Sequence, residues 1–421
     1  MKPRLTGLWR NPDFLRLWAG ETISVFGSLV GRTALPFTAI LVLDASPLQV
    51  ALLMAADIVA GLLFGLLAGV WVDRLPRRPI MIAADIGRAG LLASIPAAYA
   101  LDALSLEQLY VVAFFMGTLT IFFDVAYLSY LPSLVERGEI LEGNSKMAAS
   151  WSVAEVGAFS SAGWLVQLLT APVAVLVDAV SFLFSALFVG AIRRPERPPV
   201  PEAEREGVRR EIAAGVRTIA HDPVLRAVAA SDMIAHFSFR MFGAVFLLYV
   251  TRGLGFEPGV LGLTFAVGGV SSLVGALFAA RAARRFGIGP AMVLGVLMMG
   301  GSMLFVPAAR DASLLALSFL VAQQALGDGF YTIFDINQVS LRQAITPEAV
   351  LGRVNAGIHF GVLAAMLLGA LCGGALGEVI GLRATLAVAS GFMMIAGAWL
   401  MVSPVWAMRR SPAQAAAPAE A

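Results

Sequence analysis

Twelve apolar runs, each near the length of a membrane-crossing helix, leave this chain few folds to choose from. A helix needs about 20 predominantly apolar residues to cross a bilayer. Runs of that kind lie at 14–43, 48–71, 80–100, 106–130, 147–169, 172–192, 224–251, 260–281, 290–307, 314–341, 355–380 and 383–408. In lipid each backbone N–H and C=O must be satisfied inside its own segment, so such runs read as helices. Gly and Pro within them are tolerated where neighbouring helices pack closely. The expected fold is an all-α integral membrane protein with twelve transmembrane helices.

Composition agrees. Hydrophobic residues make up 59% of the chain and charged residues 14%, with a mean hydropathy of +0.82. Soluble domains carry roughly a quarter charged residues, so lipid must solvate most of this surface. A net charge of +2 gives no reason to expect a nucleic-acid partner. The single cysteine, Cys372, excludes an internal disulfide and a multi-cysteine metal site. The polar start at 1–13, followed by a long interrupted run, does not read as a cleavable signal peptide.

Basic residues set orientation. With an even helix count, the ends and loops on the side of the termini carry 22 Lys and Arg, against 3 (Arg252, Arg310 and Arg383) on the other. Both termini are therefore expected in the cytoplasm. The longest polar segment, 193–223, opens Pro-rich and continues as a helix with Val208, Ile212, Val216 and Ile219 on one stripe. It reads as a cytoplasmic linker with an amphipathic helix at the membrane face. The expected domains are an N-terminal six-helix bundle over 1–192, this linker over 193–223, a C-terminal six-helix bundle over 224–408 and a disordered tail over 409–421.

The two bundles read as copies. An offset of 211 residues places Glu21 on Asp232, Asp124 on Asp335 and Asn144 on Asn355. Apolar residues match by chance in such a chain, but polar ones at membrane depth are rare. Two similar bundles can rock about a site near the midplane and so alternate its access.

Between the second and third runs stands Gly69-Val-Trp-Val-Asp73-Arg74-Leu-Pro-Arg77-Arg78. This segment resembles the signature of the major facilitator superfamily, Gly-x-x-x-Asp-Arg-x-Gly-Arg-Arg/Lys, with Pro76 in the place of Gly. The second-half copy keeps its basic residues but has Arg284 where the family's Asp would stand. The resemblance covers about residues 8–408. The opening Trp9-Arg-Asn-Pro-Asp-Phe-Leu-Arg-Leu-Trp18 and Ala84-Asp85-x-x-Arg88 resemble the bacterial efflux and secretion branch that includes macrolide and siderophore exporters. The resemblance implies the major facilitator fold, two pseudo-symmetric six-helix bundles, with helices one, four, seven and ten lining a central cavity. It also implies a conformational latch at Gly69, Asp73, Arg74, Arg77 and Arg78. Physically, a carboxylate at Asp73 can accept from a helix N-terminus and from Arg. The alternative is a basic loop that only sets topology. Antiporters of the family usually carry a Gly-Pro motif in helix five. Here Val156-Gly157-Ala-Phe-Ser-Ser-Ala-Gly163-Trp164 keeps the small residues and lacks the proline.

Charges at membrane depth are costly, about 2.5–3.5 kcal/mol even on insertion scales, and mark functional candidates. Asp232, His236 and Arg240 fall at i, i+4 and i+8 on one helical face. Glu21 and Arg32 share a face of the first helix, and Arg32 is placed to pair with Asp57 of the second. Asp328 and Asp335 share a face of the tenth with Tyr331. Proton coupling needs a carboxylate whose proton affinity follows its surroundings. The proton-coupling candidates rank Asp57, Asp328, Asp232, Asp124, Glu155 and Glu21, with His236 beside them. Substrate-cavity candidates are Arg32, Arg240, Tyr127, Tyr331 and Asp335. Asp85 and Arg88 read as a structural pair, Asp178 as solvated, and His359 as an interfacial histidine. The alternative for every charge is an ion pair that only stabilises the interior.

No nucleotide-binding loop, catalytic triad or metal-ligand spacing stands out, so no enzyme, cofactor or bound metal is expected. The expected function is secondary active transport by alternating access. It is read as proton-coupled export of a small amphipathic molecule such as a drug, siderophore or metabolite. Alternatives are an uptake symporter or facilitator for a polar solute, a lysolipid flippase and a divalent-metal exporter. The expected partners are the substrate, protons and membrane lipids, for a monomer in the cytoplasmic membrane.

Overall fold

Helix starts in this chain are set by local residues, and the two copies use the same device. Asn11 precedes Pro12, and its side chain accepts from the N–H groups of Asp13 and Phe14 at 3.1 and 3.2 Å. Asp222, 211 residues on, precedes Pro223 and accepts from Val224 and Leu225 at 2.8 and 2.9 Å. Proline at the first helical position gives up an N–H that would be unsatisfied anyway, and the cap takes the next two.

The computed structural model describes residues 7–194, 196 and 208–409. Among these are fourteen α-helices and no strand. They are α1 (Pro12–Leu41), α2 (Pro47–Arg74), α3 (Arg77–Ala100), α4 (Leu106–Leu134), α5 (Ile140–Leu169), α6 (Ala171–Gly190), α7 (Val208–His221), α8 (Pro223–Leu248), α9 (Pro258–Phe286), α10 (Ile288–Met303), α11 (Phe305–Ala308), α12 (Leu314–Ile345), α13 (Glu348–Val379) and α14 (Leu382–Met401). The tail expected at 409–421, beyond 409 itself, and most of the Pro-rich linker lie outside the described residues.

Among the described residues, ten helices are long and apolar enough to cross a membrane. The two further spans expected from the sequence are occupied by α5 and α12, 30 and 32 residues long. Their lower hydropathy has a direct cause. The α5 sequence holds Glu142, Lys146 and Glu155, and α12 holds Asp328, Asp335 and Arg342 together with the buried Gln323, Gln324, Asn337 and Gln338. Polar groups turned toward protein lower a helix's mean hydropathy without exposing it to lipid.

By contact the chain forms two units. The first comprises Met1–Ala45, Leu53–Ala203 and Glu257–Leu263, the second Ser46–Leu52, Glu204–Phe256 and Thr264–Ala421. Within the first, α1 packs on α5 and α6, and α3 on α4 and α6. Within the second, α8 packs on α13 and α14, and α10 on α12 and α14. The second pattern is the first displaced by one repeat.

At these interfaces the polar member changes sides. On α1, Gly27 and Gly31 leave room for Ser181 and Asp178 of α6. On α8, the residue matching Gly27 is Ser238, which donates to the Ala389 carbonyl of α14 at 2.7 Å. Likewise Gly20 lies against Ser185, whereas Ser231 donates to the Ala396 carbonyl at 3.1 Å. Small residues let helix backbones approach, and in the second unit each serine adds a hydrogen bond across the contact. Asp178, expected to be solvated, is instead buried at 3% exposure, because the two α1 glycines open a seat for it.

The linker helix α7 docks on α13. Gly215 meets the Arg353 backbone, and Ile219 joins a cluster with Leu225, Val354 and Ile358. Val216, on the expected apolar stripe, is exposed.

Candidate functional site

Each unit gathers ionisable side chains from the helices that match under the repeat. In the first unit, Glu21 of α1 lies within electrostatic reach of Asp124 of α4 and of Arg88 and Asp85 of α3. Tyr127, one turn from Asp124, faces both Glu21 and Asp124. Arg88 is 3% exposed, and its Nη2 lies 2.5 Å from Asp85 Oδ1. Its guanidinium sits between the rings of Phe123 and Phe182, 4.3 and 4.0 Å from their centroids. Aromatic faces on both sides hold the cation without satisfying its N–H groups. Asp178 accepts from Ser28 Oγ at 3.2 Å and also faces Arg88 and Arg32.

Glu21 Oε2, Asp85 Oδ2 and Arg88 Nε are buried and have no hydrogen-bond partner. Such orphans are expensive in a purely structural network. A network that must rearrange or exchange protons has reason to keep them.

In the second unit, His236 Nδ1 on α8 lies 2.9 Å from the Asp232 carbonyl and 3.1 Å from Asp232 Oδ1. Apart from this contact, the buried Asp232 Oδ1 has no hydrogen-bond partner. Asp335 of α12 lies within electrostatic reach of His236, and Tyr331 within reach of both Asp232 and Asp335. Gln338 Nε2 donates to Asp335 at 3.2 Å. Phe239 stacks on Tyr331 at 6.2 Å between centroids. The pair Glu21 and Asp124 thus recurs as Asp232 and Asp335. Each pair has a tyrosine and a basic side chain beside it, Arg88 in the first unit, where Arg32 also lies toward Asp124, and His236 in the second.

Asp57 and Asp328 sit apart from these clusters. Asp57, exposed on α2, lies directly over Gly117 of α4. Asp328, half-buried on α12, lies over Gly268 of α9 beside Gln324. The pairing of Arg32 with Asp57 expected from the sequence is not formed among the described residues. Arg32 lies toward Asp124 of α4 and Asp178 of α6 instead, and α1 packs on α4, α5 and α6. Arg240 is half-buried two turns along α8 from Asp232, Glu155 is half-buried on α5 outside the cluster, and His359 is exposed.

At the loop signature, the Asp73 side chain lies outside what the structure describes, and Gly69 has nothing within 4 Å of the position a Cβ would take. The basic residues are tied inside the first unit. Glu196 accepts from the backbone N–H of Arg77 at 2.6 Å and of Arg78 at 3.3 Å, and its carboxylate lies 3.7 Å from the Arg77 guanidinium. Arg78 donates to the carbonyls of Val189 and Gly190 at the end of α6. Arg74 is exposed. Sequence reasoning missed Glu196. Its signal was an acid among prolines next to a helix start, after Pro76, that has no side-chain cap of its own.

Comparison with known proteins places the chain. The family model described as Major Facilitator Superfamily matches residues 21–231 and 228–421. The multidrug efflux pump Tap of Mycolicibacterium fortuitum is 27% identical over 408 residues, covering 93% of this chain and 96% of Tap. The uncharacterised MFS-type transporter YfiS of Bacillus subtilis (strain 168) is 24% identical over 401 residues, 93% of each chain. Among solved structures, a bacterial homologue of the iron transporter ferroportin in an inward-facing state aligns with a TM-score of 0.75 at 17% identity. That alignment covers 94% of this chain and 99% of the homologue. The nucleoside transporter NupG aligns at 0.74 with 13% identity, over 92% and 98%. At these identities the structures speak for the fold alone. The family match spans both repeats, and with it this chain belongs to the Major Facilitator Superfamily, as a multi-pass membrane transporter and not an enzyme.

Proposed function

We propose that the protein is a secondary active transporter that works by alternating access and exports a small amphipathic molecule in exchange for protons. The observation that carries this reading is the repeated carboxylate pair, Glu21 with Asp124 and Asp232 with Asp335, each beside a tyrosine and a basic group. Carboxylates that share a neighbourhood in otherwise apolar helices exchange protons when their surroundings change. Similarity to a multidrug efflux pump favours export and an amphipathic cargo. The 22-to-3 distribution of basic residues supports a reading with both termini in the cytoplasm and the protein in the inner membrane. One chain supplies both repeats, so a monomer suffices.

A divalent-metal cargo is the second reading that an observation favours, since Asp232 and His236 lie side by side. Among the described residues, however, no group of three His, Cys, Asp or Glu is placed to hold a metal ion.

The test is accumulation of ethidium, a cationic amphipathic dye, in cells expressing the chain. Export keeps dye levels low, and Asp124→Asn or Asp232→Asn restores accumulation while the protein stays in the membrane. Equal accumulation with and without the wild-type chain, across a panel of such dyes, sinks the export reading.

A further inference from the structure

Gln167 and Glu378 lie 211 residues apart, in the last turns of α5 and α13. Each reaches the first turn of another helix. Glu378 Oε1 accepts from Ser46 Oγ at 2.5 Å and from the Leu48 N–H at 3.2 Å, at the start of α2. Gln167 Oε1 accepts from the Gly259 N–H at 3.1 Å, and its Nε2 donates to Glu257 Oε2 at 2.7 Å, at the start of α9. Every partner matches under the repeat: Ser46 with Glu257, Pro47 with Pro258, Leu48 with Gly259.

The chemistry is the same on both sides. Helices α2 and α9 begin with proline, so the first amide able to donate belongs to the next residue. That orphan N–H is taken by a side chain from a different helix, while a second bond joins that side chain to the residue before the proline. A glycine one turn earlier brings the helices together. Gly374 lies against Pro47 and Leu48, and Gly163 against Pro258 and Gly262. By contact the turn Ser46–Leu52 belongs to the second unit although the rest of α2 belongs to the first. The turn Glu257–Leu263 likewise belongs to the first unit, while α9 continues in the second.

We propose that Gln167 and Glu378 are paired clasps that hold the first turns of α9 and α2 in one state of the transport cycle and release them in the other. The proposal rests on the alternating-access reading. Gln167, Glu257 and Glu378 are exposed, so water competes for each bond and the clasp is weak enough to open every cycle. Losing one clasp should shift the conformational equilibrium about three- to tenfold toward the released state.

Double electron–electron resonance reads this shift in the full chain in nanodiscs, on a Cys372→Ala background. Spin labels at Leu52 and Val379, both exposed, report on the α2 clasp, and labels at Leu168 and Leu263 on the α9 clasp. Glu378→Ala should raise the long-distance population of the first pair about three- to tenfold, and Gln167→Ala that of the second. Glu378→Gln keeps an acceptor oxygen, as its counterpart Gln167 does, and should match the wild type. Deuterium uptake by peptides covering 46–52 and 257–263, in protein that keeps Cys372, should rise with the alanine variants alone. Unchanged distances and uptake in both alanine variants, or Glu378→Gln behaving as Glu378→Ala, overturns the proposal. Neither readout uses dye or protons, so a failed export assay leaves this result standing, and the reverse.

Discussion

Asp57 and Asp328 occupy opposite members of the same helix pair. Asp57 is on α2 with Gly117 opposite on α4, and Asp328 is on α12 with Gly268 opposite on α9. Since 57 and 268 differ by 211, as do 117 and 328, each repeat keeps one carboxylate at this contact but mounts it on the other helix. If place rather than helix matters, the carboxylate can be moved. Asp328→Asn should lower dye export at least about tenfold. The exchange Asp328→Gly with Gly268→Asp should recover most of it, since the nearest atoms to a Cβ at Gly268 belong to the side chains of Asp328 and Gln324. Efflux rates in cells, at matched membrane levels, decide between the two outcomes.

The buried Asp85–Arg88 pair has an apolar counterpart, Val296 and Met299, in the second repeat. Removing one member strands a buried charge at a cost of about 3–5 kcal/mol, whereas removing both is often tolerated. Arg88→Met should therefore depress the unfolding temperature sharply in detergent. Asp85→Val with Arg88→Met, which copies the second repeat, should be the more stable of the two.

The α1–α6 interface and its exchanged counterpart between α8 and α14 predict an asymmetry in side-chain tolerance. Ser238→Ala removes one hydrogen bond and should cost about 0.6 kcal/mol, the average for such bonds in membranes. Gly27→Val drives a branched side chain into Ser181 and the backbone at Asp178, and should prevent monodisperse extraction. Size-exclusion profiles and thermal unfolding measure both.

Glu196 takes the first free amides of α3, so Glu196→Ala should cost about 1 kcal/mol, the usual loss for a helix cap. Glu196→Asp, one methylene shorter, should lose part of that. Thermal unfolding of the purified chain compares them.

The helices were legible because a bilayer permits so few structures, and the buried acids because each stands alone among apolar residues. Glu21 and Asp124 matched Asp232 and Asp335 in the sequence; in the structure Glu21 lies within electrostatic reach of Asp124, and Asp232 and Asp335 share His236 and Tyr331 as neighbours. Three things were not legible. Arg32 was aligned with Asp57 by depth, yet which helices touch is a matter of packing, and α1 packs on α4, α5 and α6, with Arg32 toward Asp124 and Asp178. Asp178 read as solvated because its seat is made by glycines on another helix. The exchanged contacts escaped a search for identical residues, since Gly opposite Asp and Asp opposite Gly share the contact but neither residue.

The central claim is that cargo movement and proton movement are one process. Proteoliposomes holding the purified chain, ethidium and an internal pH dye test it directly. With an imposed pH gradient and no other energy source, the account predicts dye accumulation on the acidic side and a faster decay of the gradient when ethidium is added. Both effects should be lost in Asp124→Asn. Ethidium movement that ignores the gradient, or a gradient whose decay ignores ethidium, would contradict it.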